Sequence, residues 1–423
     1  MRGLARDFGG DVKRIIFLLL LDGGLWGVWF GSMWMFRPAL ASRLGENYME
    51  INLMISLPLL SAAAAFLVAG SARCREFVRR WRLQLLRFSN LAMRSMNLAI
   101  ALMLYLELFE PRTMFYAVTT LFTLAGPFQA LGVLTWVDSL AANIPRVYRA
   151  RFAGMHSTAA YIGVLGGTLL SGYLLSTSPN MRVYGEAFLV GSAVSVAGTS
   201  IFFLLKEIGV EEEELRRFGA ATHHDVRRGM LYLAVSLAIF AVNLPMSVVV
   251  PYIMRVWGGD EAWVAVINAS SWLASIFTPM MWSYLVEKLG SLKSACISIG
   301  IGVTMNALFP FLPTVELQGI RAFIAGAAFS GIWVTLFSFL IRDVDPGNRI
   351  LYSSRMFALQ NAVPAISMTV GATIADITRF PELVFWLSVL GLASIPTLLR
   401  TTMEISEVSQ VRTYHVQAPR SRT

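Results

Sequence analysis

Residues 15–36 read IIFLLLLDGGLWGVWFGSMWMF, a run of 22 positions with a single charge, Asp22. The hydrocarbon core of a bilayer is about 30 Å thick, so about 20 mostly apolar residues in a helix cross it. Comparable runs follow at 51–70, 88–108, 114–138, 155–176, 186–205, 230–252, 262–284, 292–311, 318–341, 355–376 and 381–399. Backbone polar groups find no water inside a bilayer, which leaves helices or a closed barrel as spanning structures. Barrel strands alternate apolar and polar residues over short stretches, whereas these runs are long and uniformly apolar. The sequence therefore predicts an all-α membrane protein with twelve transmembrane helices.

Composition agrees with this reading. The chain is 56% hydrophobic and 14% charged, against about 25% charged in soluble domains. Its net charge of +9 does not form the basic stripe of a nucleic-acid binder. It follows loop parity instead. Of the 35 Lys and Arg, 27 lie in the N-terminal segment, the gaps after even-numbered spans and the C-terminal tail. Seven lie in the other gaps: Arg37, Arg43, Arg112, Arg182, Arg255, Arg321 and Arg379. Arg94 falls inside span 3. The positive-inside bias places both termini in the cytoplasm, which requires an even number of spans. The expected location is the cytoplasmic (inner) membrane. Asp22 and the lack of a small-residue cleavage site argue against reading span 1 as a removable signal peptide. Cys74 and Cys296 both fall near the cytoplasmic side, where a disulfide is not expected.

The polar stretch between Lys206 and Arg228 holds four consecutive glutamates, Glu211 to Glu214. It divides the chain into a first six-helix half (1–205), a central cytoplasmic loop (206–228) and a second half (229–401). A polar tail (402–423) is expected to be disordered. The halves repeat. Gly70, Cys74, Phe77, Arg79 and Arg80 follow span 2, and Glu287, Gly290 and Lys293 follow span 8. Asp138, Pro145 and Arg149 follow span 4, and Asp343, Pro346 and Arg349 follow span 10. Span 5 carries Gly154-x8-Gly163-x3-Gly167-Thr168-Leu-Leu-Ser171-Gly172. Small residues let helices approach closely in lipid, so these glycines read as a helix-packing seam.

In these features the chain resembles the major facilitator superfamily of secondary transporters. The resemblance covers the whole chain: twelve spans, both ends inside, a 6+6 repeat and a long central loop. That family's loop after span 2 reads Gly-x3-Asp-x2-Gly-x-Arg-Lys/Arg. Gly70, Arg79 and Arg80 match it, whereas Cys74 replaces the acid and Phe77 the second glycine. The span 5 glycines are similar to the family's antiporter motif, with Thr168 in the place of its proline. The resemblance implies that spans 1, 4, 7 and 10 line a central cavity. It also implies that loop ion pairs latch the cytoplasmic side, with Asp138 against Arg79 or Arg80, and Glu287 against Arg342, Arg349 or Arg355.

Ionisable residues inside spans are costly and mark function by default. Asp22 in span 1 and Arg94 in span 3 are the candidates. One reading makes them a structural ion pair, the other a site where Asp22 takes up and releases a coupling proton. Arg94 lies on a polar stripe with Arg87, Asn90 and Asn97. Candidate cavity residues are Trp26, Trp29 and Phe30 of span 1, Gln129 of span 4, Asn243 of span 7, Trp333 of span 10, and Gln360 and Asn361 of span 11. Pro245 is expected to open the backbone beside Asn243. Aromatic walls with a few amides suit an amphiphilic organic solute. The tryptophans have a second reading as interfacial anchors facing lipid.

No phosphate-binding glycine loop, metal cluster or nucleophile–base pair is visible. His223 and His224 sit in the central loop without a carboxylate or thiol cage. An enzyme, a cofactor, a metal and a nucleic-acid partner are therefore not expected. The expected partners are a small-molecule solute, a coupling ion (a proton) and the lipid bilayer, with the protein a monomer. The function read from the sequence is secondary active transport of a small amphiphilic solute, proton-coupled and leaning to export. The alternatives are an uptake symporter or facilitator, and a non-transporting receptor or assembly factor on a transporter scaffold. Topology reporters fused after Asp11 and after Gln410 should both report a cytoplasmic location. Opposite locations would refute an even number of spans.

Overall fold

The computed structural model describes residues 10–144, 149–178, 180–206, 228–338 and 349–400. These residues are helical, with no strand among them. Most of the central loop, the C-terminal tail, Pro145, Arg342, Asp343, Pro346, His223 and His224 lie outside the described residues.

The chain makes twelve helical passes. Span 1 runs Gly10–Trp29, widens at Phe30–Trp34 and ends as Arg37–Leu44. Spans 2 to 6 are Tyr48–Ala69, Arg82–Tyr105, Pro111–Asn143, Arg149–Thr177 and Met181–Leu204. Span 7 is split into Arg228–Asn243 and Met246–Arg255. Spans 8 to 11 are Glu261–Leu289, Ser291–Ala307, Val315–Ser338 and Arg349–Thr378; span 12 runs from Glu382 to Arg400. Ten of the passes are long and apolar enough to cross a membrane taken singly. The two that fall short have visible reasons. Span 3 is diluted by Arg94, Asn90 and Asn97, and span 9 has 17 residues.

Helix ends follow local chemistry. The side chains of Asn47, Asn180 and Asp260 accept the amides of Glu50, Val183 and Trp263, capping spans 2, 6 and 8. Span 8 turns directly into span 9 at Gly290, whose φ of 86° only glycine adopts without strain. Pro245 caps the second piece of span 7, so the backbone opens beside Asn243 as the sequence predicts. The widened turn of span 1 was not anticipated. Pro38 has no N–H to give the Trp34 carbonyl, and the Met35 amide reaches back five residues to Phe30 O at 3.1 Å. A short helix, Ala72–Arg80, joins spans 2 and 3 and buries only Val78.

Packing repeats between the halves. A Cβ on Gly163 or Gly167 would strike the backbone of Gly24 or Val28, so span 5 lies directly on span 1. In the second half a Cβ on Gly371 would strike Leu244 O, placing span 11 on span 7 in the same way. Gly126 brings span 4 onto Pro58 of span 2, and Gly326 brings span 10 onto Ser271 of span 8. Across the halves, span 2 meets span 11 through Asn52 Nδ2 donating to Thr369 Oγ1 at 2.9 Å and through stacked Phe66 and Phe357. Span 5 meets span 8 through Thr158 Oγ1 donating to Ile276 O at 3.3 Å and through Tyr161 against Trp272. The span 5 glycines therefore divide: Gly163 and Gly167 serve span 1, while Gly154 and Gly172 face span 8 at Ser283 and Ala265.

Overpacking a tight contact costs about 1–3 kcal/mol. Gly167→Ala should lower the melting temperature in detergent and the yield of folded protein. Gly166→Ala, where an added Cβ meets nothing within 4 Å, should do neither. Equal melting of the two variants would remove the seam from the fold's support.

Candidate functional site

Span 1 presents three faces. Gly24, Gly27 and Gly31 lie on span 5. Trp29 and Ser32 face Gly191 of span 6. Trp26, Phe30 and Trp34 stay half-buried, with Phe30 packed against Tyr161 and Val164 of span 5 and Trp272 of span 8. Their rings form a row: Trp26 to Phe30 is 4.9 Å between centroids, and Phe30 stacks on Trp34 at 5.8 Å. Trp272 of span 8 meets Phe30 edge-on at 5.9 Å, so the row lies where the two halves meet. Trp29 is 2% exposed, and its ring centroid lies 6.3 Å from those of Trp26, Phe30 and Trp34, so it backs the row from the span 6 side. The widened turn adds a residue to the helix and so changes the helical phase between Phe30 and the residues that follow it.

The second half holds a separate cavity of about 210 Å³. Asn243, Trp333 and Gln360 line it, together with apolar residues such as Ile239, Val242 and Pro364. Trp26, Phe30, Gln129 and Asn361 do not line it. The Asn361 and Asn243 amides donate to Phe357 O and Ile239 O one turn back, at 2.7 and 2.8 Å. Those donors are therefore committed within their own helices.

Asp22 and Arg94 do meet. Arg94 Nη2 donates to Asp22 Oδ1 at 3.0 Å, and Nη1 donates to Ser195 O of span 6 at 2.7 Å. The two residues are 5% and 1% exposed. The pair ties together spans 1, 3 and 6. Beside it, His156 of span 5 lies against Gly23 and 4.8 Å from the Trp136 ring. Sequence reasoning passed over His156 because a lone histidine carries no pattern.

On the side of the bundle opposite the termini, the described residues make polar contacts between the halves. Arg43, at the end of span 1, grips Glu261, the first residue of span 8, with bonds of 2.8 and 2.9 Å. The Tyr184 hydroxyl of span 6 donates to the same carboxylate at 3.1 Å. Asp376 of span 11 accepts the amides of Tyr48 and Met49 at the start of span 2, where the helix dipole favours an anion. Arg255 of span 7 donates to Gly45 O and Glu46 O. This side is closed.

The termini side carries a different arrangement from the expected latch. Asp138 pairs with Arg82 at 3.3 Å, within the first half, whereas Arg79 and Arg80 are exposed. Arg149 donates to Ala141 O and Ile144 O and so caps span 4. Glu287 and Lys293 are exposed, and Glu287 makes no ion pair with Arg349 or Arg355. The Cβ space of Gly70 is taken by Ser354 of span 11, so Gly70 serves close packing between the halves. Phe77, the residue in place of the second signature glycine, is exposed with its ring 6.5 Å from that of Trp81.

Glu261 is buried while Arg43 is 38% exposed, and removing the carboxylate's charge weakens both bonds to the guanidinium and the one from Tyr184. Glu261→Gln should therefore loosen the side opposite the termini. In a variant with Cys74 and Cys296 replaced by serine, a cysteine at Met35 should react faster with an impermeant thiol reagent added to that side. Unchanged labelling would mean that the Arg43–Glu261 bond does not hold the closure.

No family model matches the sequence, and no curated protein matches it. Solved structures do match the fold. The proton:xylose symporter XylE of the major facilitator superfamily, bound to 6-bromo-6-deoxy-D-glucose, superposes with a TM-score of 0.68 at 12% identity. That match covers 92% of this chain and 95% of XylE. The human organic anion transporter MFSD10 (TETRAN) gives 0.67 at 13% identity over 92% and 100% of the two chains. A bacterial homologue of the iron transporter ferroportin in the outward-facing state gives 0.61 at 14% identity over 93% and 99%. The chain has the fold of the major facilitator superfamily transporters.

Proposed function

We propose that this protein is a secondary transporter of the major facilitator superfamily that moves a small organic solute across a membrane. The observation that carries this reading is a junction of two six-helix halves that three polar contacts close on the side opposite the termini. Among the described residues the halves also meet through Gly70 with Ser354 and through stacked Phe66 and Phe357. Such contacts can exchange as the halves rock, which is how this architecture gives alternating access. The half-buried aromatic row of span 1 and the amide-bearing cavity of the second half offer surfaces for a solute with apolar and polar parts.

We further propose that the transport is driven by protons and directed to export, with Asp22 and Arg94 as the coupling pair. Of the described ion pairs this is the one buried mid-span on both sides, and such groups are rare without a role. Its position inside the first half favours a coupling site that acts on helix packing and does not touch the solute. Purified protein in proteoliposomes with an imposed pH gradient tests both levels. Asp22→Asn should abolish gradient-driven accumulation, while counterflow of the same solute is kept. Retained accumulation would make the pair structural. Absence of flux for any solute in a broad panel would remove the transporter reading itself.

A further inference from the structure

Arg37 follows the widened turn of span 1. Its side chain is 1% exposed. The guanidinium lies 3.6 Å from the centroid of the Trp34 ring and 5.1 Å from that of Phe122 on span 4. Aromatic faces stabilise a cation only in part. Nε and Nη1 are buried with no hydrogen-bond partner, and no ion pair reaches Arg37 among the described residues. A buried charge without a counter-ion is costly, and natural proteins keep few of them without a purpose.

The carboxylates of the neighbouring closure are engaged elsewhere. Glu261 is held by Arg43 and Tyr184. Glu50 is held by Arg112, and Asp376 by the span 2 amides. Nothing in the described structure is left to neutralise Arg37. It continues the aromatic row, because Phe30 stacks on Trp34 and Trp34 lies against the guanidinium. A second donor shares the region: Trp272, which meets Phe30 edge-on, has a buried indole N–H without an acceptor. Unfilled donors and an apolar row, with no acceptor among them, describe a receptor for an anion with an apolar body.

We propose that the transported solute is an organic anion. Its acidic group binds Arg37, and its apolar part lies along Trp34, Phe30 and Trp26. This rests on the transport reading and names its substrate class. Arg37 then lies on the same helical segment as Arg43, which makes the closure with Glu261.

The test uses full-length protein in phosphatidylcholine nanodiscs and three matched probes: 2-naphthoate, neutral 2-naphthamide and cationic 2-naphthylmethylammonium. Quenching of tryptophan fluorescence reports binding. The carboxylate should bind about tenfold or more tightly than either analogue. Arg37→Gln should remove that preference while leaving the naphthamide affinity within about twofold, because only the charge partner is lost. Arg37→Lys, which keeps the charge, should retain part of the preference and serves if the glutamine variant does not fold. Equal binding of carboxylate and amide, no saturable quenching by 2-naphthoate, or an unaltered preference in Arg37→Gln would each overturn the proposal. Displacement of 2-naphthoate by added phosphatidylglycerol as well as by excess carboxylate would assign the site to a lipid headgroup and overturn it too. Flux in proteoliposomes separates the two levels. Charge-selective binding without flux refutes transport alone, and flux without charge selectivity refutes the anion assignment alone.

Discussion

Span 1 and span 5 touch backbone to backbone, with Gly24, Gly27 and Gly31 set against Gly163, Gly167 and their neighbours. In lipid there is no hydrophobic gain from joining two apolar helices, so close approach is the source of their attraction. A contact that close also removes rotational freedom, since turning either helix would drive a side chain into a carbonyl. The other faces of span 1 are set by this one choice. Asp22 turns to Arg94 of span 3, and Phe30 of the aromatic row turns to Trp272 at the junction. Span 7 is fixed by Gly371 in the equivalent place, so the leading helix of each half is held by its fifth.

The two sides of the junction are held by different forces. Opposite the termini, a two-bond guanidinium–carboxylate contact, a capped helix start and an arginine on two carbonyls combine direction with charge. At the termini side the halves meet through Gly70 and Ser354, Gly154 and Ser283, and stacked Phe66 and Phe357. Contacts of that kind are short-ranged and depend on shape.

Much of this was legible in the sequence, and the parts that were not have physical reasons. Twelve apolar runs survive any packing detail, because the bilayer imposes their length. The break at Pro245 follows from one missing N–H. The meeting of Asp22 with Arg94 follows from the cost of leaving either alone in hydrocarbon. Aromatic spacing grouped Trp26, Trp29 and Phe30, but it could not say that Trp29 would be the buried one, because the glycine seam fixes the rotation of the helix. Arg37 read as a loop charge, since the apolar run ends at Phe36 and the helix continues past it after Pro38. The Arg43–Glu261–Tyr184 cluster joins residues over 70 positions apart, and no local pattern announces it. The expected loop latches rested on family resemblance, and at Asp138 the neighbouring Arg82 took the part assigned to Arg79 or Arg80.

The widened turn at Phe30–Trp34 has a consequence for the phase of span 1. An α-helix advances about 100° per residue, so one residue more or less turns everything beyond it by that angle. The far end of span 1 carries both the arginine of the aromatic row and the arginine of the closure, six residues apart and therefore on different sides of the helix. The extra residue sets the angular position of both together. Relaxing the turn to ordinary α geometry would sweep Arg37 off Trp34 and draw Arg43 from Glu261 in one movement, while the glycine-bound half stayed still. A variant that removes the extra residue is therefore expected to displace both arginines together.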